Sequence, residues 1–246
     1  MNILVSIITV VYNGELTIKD TIESVLNQTY RNLEYIIIDG KSTDNTIDIV
    51  MSYVRKFENK GIKFKIISEK DNGIYDAMNK GIDNSHGEII GLINADDWYE
   101  LDAIEDVVKC YKQNNFDMMY ADLRVYLLNG NSKIKHAKKR RYITSRDWNH
   151  PTTFITRELY KQYRYKCESI YDDFDLMIRI RQSNAKIIIL NKIIANFRMG
   201  GISNKTSIKA LWNRIKTRYK IYRNNGLNGF YIFECIGLEC AKIFLK

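Results

Sequence analysis

The first 115 residues alternate between short, nearly unbroken apolar runs and longer segments whose apolar residues recur every three or four positions. Residues 3–11 are almost entirely apolar and rich in Val and Ile. Such a run predicts a strand covered on both faces. Tyr12-Asn13-Gly14 ends it, and Ile18, Ile22, Val25 and Leu26 then mark one stripe of a helix within residues 15–28. The unit repeats. Leu33–Asp39 predicts a second strand, the turn Gly40-Lys-Ser-Thr-Asp-Asn45 supplies cap residues, and Ile47, Val50, Met51 and Val54 stripe a helix. Residues 63–68 predict a third strand, and Ile74, Ala77, Met78 and Ile82 a third helix. Residues 88–94 predict a fourth strand, followed by a helix striped by Ile104, Val107, Val108 and Tyr111. Four strand–helix units in succession predict an α/β fold with a parallel, doubly wound sheet.

The second half is less regular. Residues 117–129 predict one or two strands before the turn Asn129-Gly130, and residues 152–156 a short strand. Residues 172–183 predict a helix, residues 186–190 and 193–198 two strands, and Gly200-Gly201 a turn. From Ile208 onward, Leu211, Trp212, Ile215, Tyr219 and Tyr222 fall at helical spacing among basic residues, and an apolar, aromatic segment broken by Glu234 and Glu239 ends the chain. The pattern divides the chain at about residue 204, with a main domain over 1–204 (halves 1–115 and 116–204) and a basic helical extension over 205–246.

Composition adds little beyond a soluble globular class, but charge adds something. The formal net charge of +9 comes from two patches: residues 133–146 and 205–223 each carry seven Lys or Arg and no acid. Removing those 14 from the 38 basic residues leaves 24 against 29 acids, so the body is mildly acidic at −5. Such patches suit phosphates, nucleic acid or an anionic membrane surface. No nucleic-acid module accompanies them. The segment 133–146 itself reads as an exposed strand or a mobile loop. There is no apolar run of membrane-spanning length and no basic leader before the first strand. The four cysteines have neither disulfide-framework nor metal-ligand spacing, which suits free thiols in a reducing cytoplasm.

The candidate chemistry lies at the strand ends. In a parallel α/β sheet, ligands bind beyond the carboxyl ends of the strands. Tyr12-Asn13, Asp39, Asp71 and Asp96-Asp97 each follow a predicted strand, so the fold would gather them at one edge. Asp96 and Asp97 are adjacent like charges at the end of an apolar strand, an arrangement that calls for a cation or hydrogen-bond donors. A helix cap near Leu101 is the simpler alternative for this pair, and turn or cap duty is the alternative for Asp39 and Asp71. Downstream, Asp172-Asp173-Phe174-Asp175 places three acids in four residues at a predicted helix start. That is more than the helix dipole requires.

Thr9-Val-Val-Tyr-Asn13, Ile38-Asp39-Gly-Lys-Ser-Thr-Asp44, Glu69-Lys-Asp-Asn-Gly73 and Asn94-Ala-Asp-Asp-Trp98, in that order and spacing, resemble the family 2 glycosyltransferases. The stretch Asp71-Asn-Gly-Ile-Tyr-Asp-Ala-Met-Asn-Lys-Gly81 resembles a subgroup of bacterial enzymes of O-antigen and capsule-type surface polysaccharides. Asp172–Leu176 and Gly200-Gly-Ile-Ser203 also fit, so the likeness spans residues 3–203. The resemblance implies the GT-A fold, with a Rossmann-like, mostly parallel central sheet flanked by helices. It implies inverting, metal-dependent transfer from a nucleotide sugar, UDP-linked, to a saccharide acceptor. The basic tail helix with its aromatics suits an anionic membrane interface, which fits a lipid-diphosphate-linked acceptor and a peripheral protein at the cytoplasmic face of a bacterial inner membrane; a helix packed on the main domain is the alternative. The resemblance further implies that Asp97 ligates Mn²⁺ or Mg²⁺ and that Asp96 contacts ribose or metal. Asp39 would accept from uracil, Thr9 and Tyr12 would line the base pocket with Asn13 beside them, and Asp71 would serve the donor site. Asp173 is the implied general base, with Asp175 its rival and Asp172 a supporting or acceptor-contacting acid. Here the chain departs from the family, which has Glu at position 172. His150 would face acceptor or diphosphate, or else be a hydrogen-bonded structural histidine, and Lys138–Arg141 would steer phosphates. A noncatalytic nucleotide-sugar or glycan-binding subunit is the alternative reading, and the presence of both Asp97 and the Asp172–Asp175 cluster weighs against it.

Overall fold

A computed structural model describes residues 2–199 and 208–244. The four expected strand–helix units are all present: β1 (Val5–Val11), α1 (Ile18–Leu26), β2 (Leu33–Asp39), α2 (Thr46–Met51), α3 (Val54–Asn59), β3 (Lys63–Ser68), α4 (Ile74–Asp83), β4 (Ile89–Leu92), β5 (Trp98–Tyr99) and α5 (Ala103–Asn114). The expected single helix after β2 is two, because buried Tyr53 sits in a turn between them. The second half contributes β6 (Met118–Tyr126), β7 (Ser132–Lys135), a 3-10 turn at His150–Thr152, β8 (Phe154–Thr156), α6 (Arg157–Gln162), α7 (Asp172–Gln182) and β9 (Ile187–Arg198). The tail forms α8 (Ile208–Asn224) and α9 (Tyr231–Phe244).

The strands line up in the order β3-β2-β1-β4-β8-β6-β9-β5, with β7 on β6. β1 to β4 are mutually parallel, and antiparallel β8 joins β4 to β6. β6 and β9 are parallel to each other and hence to β4. The two strands expected over 186–198 are one, β9, with register shifts opposite Ala121–Leu123. Lys192 turns out of β9 to pair with Asp102 at 2.6 Å and Asp106 at 2.5 Å. Only the start of the basic segment is a strand, and the rest is a tethered loop: Tyr120 donates to Lys138 O at 2.7 Å and Arg140 pairs with buried Asp147. The predicted turn at Gly200-Gly201 and the Gly200–Ser203 motif lie outside the described residues.

Period-two alternation along the strands makes two apolar layers. Ile7, Tyr35, Ile37 and Ile89 pack under α1, α3 and α5. Ile8, Ile36, Ile38 and Ile90 pack under α4, α6 and α7. A third cluster joins Phe174 and Ile178 of α7 to Ile215, Ile221 and Tyr222 of α8 and to Cys235 of α9. The tail therefore docks on the main domain by an apolar seam. Glu234 and Glu239 accept ion pairs there, from Arg146 at 2.8 Å and Arg214 at 2.7 Å. Among the described residues, no helix is long and apolar enough to cross a membrane.

Candidate active site

Topology fixes which groups meet. The carboxyl ends of β1, β2, β3 and β4 share one edge, and parallelism brings the end of β9 to it as well. β8 runs the other way, so the turn before it, with His150, joins that edge, as does the start of α7, which precedes β9.

On the donor side, Tyr12 is 63% exposed directly after β1. Asn13 adopts a left-handed φ of 52°, which Asn tolerates. Its Oδ1 accepts from Thr43 N–H at 2.8 Å, and its N–H donates to Ser42 Oγ at 2.8 Å, locking the β1 and β2 turns together. Asp71 Oδ1 accepts from Gly73 N–H at 2.9 Å. Its other oxygen lies against Gly40, where an added Cβ would be 2.5 Å from it and 3.5 Å from Tyr12 Cβ. Tyr12, Gly40 and Asp71 thus touch at the ends of three adjacent strands.

Two expected base-pocket residues, Thr9 and Asp39, are buried. Thr9 is fully buried inside β1, and its hydroxyl accepts from Tyr35 OH at 3.0 Å. Its partner Tyr35 lies on the neighbouring strand within the core, so Thr9 faces the core and not the strand end. Asp39 is also fully buried. Its carboxylate accepts from Ser42 N–H at 3.1 Å, from the Ser42 hydroxyl, and from Ser68 Oγ at 2.6 Å. These bonds build the turn that carries Ser42 at the carboxyl end of β2.

The Asp96-Asp97 pair is asymmetric. Asp96 is half-buried, whereas Asp97 has no exposure. Asp97 Oδ1 accepts from Arg198 N–H at 3.2 Å, while Oδ2 is buried without a hydrogen-bond partner. Burial and, after it, the charge of Asp96 push the Asp97 carboxyl well up, against the attraction of Arg198. Burial raises Asp96 too. Neither residue caps α5, whose N-cap is Asp102. An orphaned buried oxygen beside a second, outward carboxylate fits a divalent cation held by the pair. No group of three or more His, Cys, Asp or Glu gathers as a metal site among the described residues. Two carboxylates with the rest of the shell from substrate oxygens is the arrangement Mg²⁺ commonly takes with phosphates. Of the pair, Asp97 supplies the unpartnered buried oxygen and Asp96 the solvent-facing carboxylate.

The three acids of α7 separate as cleanly. Asp172 is buried, and it accepts from Glu168 N–H and Ser169 N–H, both at 2.8 Å, and from Ser169 Oγ at 2.9 Å. It shapes the preceding loop rather than facing an acceptor. Asp175 is buried and bound to Lys166 at 3.1 Å, Arg179 at 2.7 Å and Asn225 Nδ2 at 2.8 Å. Asp173 is half-buried; its carboxylate accepts from the adjacent Phe174 N–H at 2.7 Å and hydrogen-bonds with the Tyr75 side chain. Of the three it is the acid least held by structural partners.

Its surroundings include residues that sequence reasoning missed. Tyr75, stacked on Tyr165 at 5.1 Å, donates to Ile170 O at 3.1 Å. Burial raises the Tyr75 phenol, and the charge of Asp173 adds to it. Tyr165 OH lies 3.3 Å from His150 Nε2. Burial lowers the His150 pKa against the opposing pull of Asp173. Lys135 donates to Trp148 O at 2.9 Å. Burial lowers its ammonium to about 8, opposed by Asp147 and Asp173. Tyr75 lies within the quoted Asp71–Gly81 stretch, and Arg198 ends a strand as the expected donor-side residues do. Lys135 carries no such signal.

One edge thus combines an acid pair suited to a cation, an open aromatic beside a carboxylate, and across from them the half-buried Asp173 carboxylate, the parts needed to hold an activated sugar and deprotonate an acceptor. A cavity of about 450 Å³ at the opposite edge, lined by His86, Glu88, Arg157 and Glu158 among others, contains none of them. Over 105 residues the chain is 39% identical to EpsH of Bacillus subtilis (strain 168), a match spanning 43% of this chain and 29% of that protein. It is 29% identical over 219 residues to an uncharacterized glycosyltransferase of Haemophilus influenzae, covering 85% of each. Staphylococcus aureus TarS 1–349, solved with UDP-GlcNAc, superposes with a TM-score of 0.70 at 19% identity, over 90% of this chain and 65% of that one, so the fold is that of GT-A glycosyltransferases. Residues 6–169 match the model of glycosyl transferase family 2. With that match spanning most of the main domain and the strand-end motifs meeting at one edge, the chain belongs to glycosyl transferase family 2.

Proposed function

We propose that this glycosyltransferase moves a sugar from a UDP-linked donor to a hydroxyl of a saccharide carried on a lipid diphosphate, with inversion at the anomeric carbon, in surface-polysaccharide biosynthesis. The observation that carries this reading is the state of Asp173, the acid of its cluster least buried and least held by structural hydrogen bonds.

The donor's base would stack at Tyr12, over the turn held by Asn13, Asp39 and Ser42, with Asp71 beside it. Asp96 and Asp97 would hold Mn²⁺ or Mg²⁺, which when bound supplies positive charge to the departing diphosphate. Asp173 accepts the proton of the acceptor hydroxyl as that oxygen forms its bond to the anomeric carbon. The bond from the anomeric carbon to the diphosphate oxygen breaks with its electron pair on the oxygen, and the nucleoside diphosphate leaves. One displacement inverts the centre and needs no protein nucleophile. Tyr75, Tyr165 and His150 wall the base on the acceptor side and limit its contact with water.

A lipid-borne acceptor places the reaction at the cytoplasmic membrane face. The tail offers a matching surface. On α8, Trp212, Lys216, Lys220 and Arg223 are all exposed, and α9 exposes Phe233 and Ile236, with Phe230 just before it. Cations and aromatics together suit an anionic bilayer surface.

The deciding experiment incubates the full chain with UDP-, GDP- and dTDP-sugars and Mn²⁺ or Mg²⁺, following melting temperature and nucleoside diphosphate release. Stabilisation and slow donor hydrolysis by UDP-sugars are expected. Stabilisation without release would favour a binding subunit, and no response to any donor would remove the nucleotide-sugar reading.

A further inference from the structure

Asp173 hydrogen-bonds with the Tyr75 side chain. Its carboxylate also accepts from the N–H of its own neighbour, Phe174, so its position depends on the first turn of α7. That turn opens at Tyr171, whose carbonyl accepts from Phe174 N–H at 3.0 Å and Asp175 N–H at 3.1 Å. Each of the three residues that frame the turn is gripped by α8 or by the turn directly after it. The Arg218 guanidinium lies 4.8 Å from the Tyr171 ring centre. Tyr222, fully buried, meets Phe174 edge-on at 5.1 Å and donates to Ile143 O at 3.3 Å. Asn225 Nδ2 donates to Asp175 Oδ1 at 2.8 Å.

These contacts fall on residues 171, 174 and 175, on either side of position 173, and on none of the donor-side groups. They also lie on the side of α7 turned from the sheet: Leu176, Met177 and Ile180 pack toward the sheet, whereas Phe174 and Ile178 pack on the tail. Arg218 is 6% exposed, and its Nη1 is 3.7 Å from Glu239, so its place over Tyr171 is fixed from α9 as well.

We propose that Arg218, Tyr222 and Asn225 are positioning residues for the base, so that the tail hairpin, though outside the family match, is a working part of the acceptor side of the active site. The inference rests on the assignment of Asp173 as base. A general base must lie within hydrogen-bond reach of the hydroxyl it deprotonates. Misplacement by about 1 Å costs about a hundredfold in rate. The donor side, held by β1 to β4, would not sense the change.

Arg218→Met and Asn225→Ala, with Arg218→Lys as the conservative partner, test this in the full chain. Two readouts are taken: kcat and donor KM with the donor and acceptor pair identified for the wild type, and amide hydrogen exchange over residues 171–176. The expected result is a fall in kcat of roughly ten- to a hundredfold with donor KM within about twofold, faster exchange confined to that turn, and partial recovery in Arg218→Lys. Unchanged exchange and kcat in folded protein would overturn the proposal, as would an equal loss of donor affinity. If exchange rises while neither wild type nor variants transfer any sugar, positioning of the turn stands and the assignment of Asp173 fails.

Discussion

Gly40 and Asp71 come from different strands, yet a methyl group on the first would sit 2.5 Å from a carboxylate oxygen of the second. Gly40 does not adopt a positive φ, so the constraint is space and not backbone conformation. Gly40→Ala should push the Asp71 carboxylate from its place beside Tyr12 and weaken UDP-sugar binding about tenfold, or about 1.4 kcal/mol. Melting temperature should hardly move, because Asp71 is partly exposed and can swing away. Calorimetric titration reads the change, and an unaltered Kd would place Asp71 outside the donor site.

The acid pair predicts a metal-linked stability effect. Burial and the charge of Asp96 both disfavour the charged form of Asp97. Asp97→Asn keeps an acceptor for Arg198 N–H and removes a carboxyl that burial disfavours as an anion, so its melting temperature without metal should equal or exceed that of the wild type. Mn²⁺ should stabilise the wild type and leave Asp97→Asn unmoved. If Asp96→Asn abolishes the Mn²⁺ response and Asp97→Asn retains it, the ion belongs to Asp96 alone.

Asp173 and Asp175 should fail in opposite ways. Asp173→Asn should lose about 10²- to 10⁴-fold in kcat with unchanged melting temperature. Asp175→Asn breaks charge-assisted bonds to Lys166 and Arg179. It should destabilise the fold by about 2 kcal/mol while costing far less in kcat than Asp173→Asn. Equal kcat losses in the two would transfer the base role away from Asp173.

Lys135 gives a pH signature. Its folded pKa, about 8, lies below the ordinary 10.5 because burial disfavours the ammonium. The unfolded chain therefore binds more protons between about pH 8 and 10.5, and stability gains from this group as pH rises through that window. Below pH 8 the cost of the buried cation is fully present. Comparing urea midpoints of the wild type and Lys135→Met from pH 7 to 10.5 should show the variant's advantage shrinking across the window, and a constant difference would contradict the burial of this cation.

The exposed tail surface makes a separate claim. Replacing Trp212, Phe230 and Phe233 together by Ala, or Lys216, Lys220 and Arg223 together by Gln, should weaken sedimentation with phosphatidylglycerol vesicles. The cationic set alone is worth about 1 kcal/mol per charge. Truncation is the wrong probe, because it would uncover Phe174 and Ile178. Equal binding by both triple variants and wild type would dissociate this surface from membranes.

The sequence by itself determined the sheet edge. β-branched runs ending in Tyr12-Asn13, Asp39, Asp71 and Asp96-Asp97 reveal parallel strands, and parallelism alone forces their ends together. Thr9 was beyond that reasoning, since a polar residue two positions before a strand end looks the same whether it faces pocket or core, and only pairing with Tyr35 decided it. Lys135, with no motif to mark it, became visible only as β7 paired with β6. Tertiary structure also decided the division of labour within both acid clusters. Oδ1 of Asp97 is met by Arg198, 101 positions away, and Asp175 by Asn225, 50 positions away. Local pattern states which acids are near one another. Which of them remains free depends on partners brought from distant parts of the chain, and those partners are set by packing.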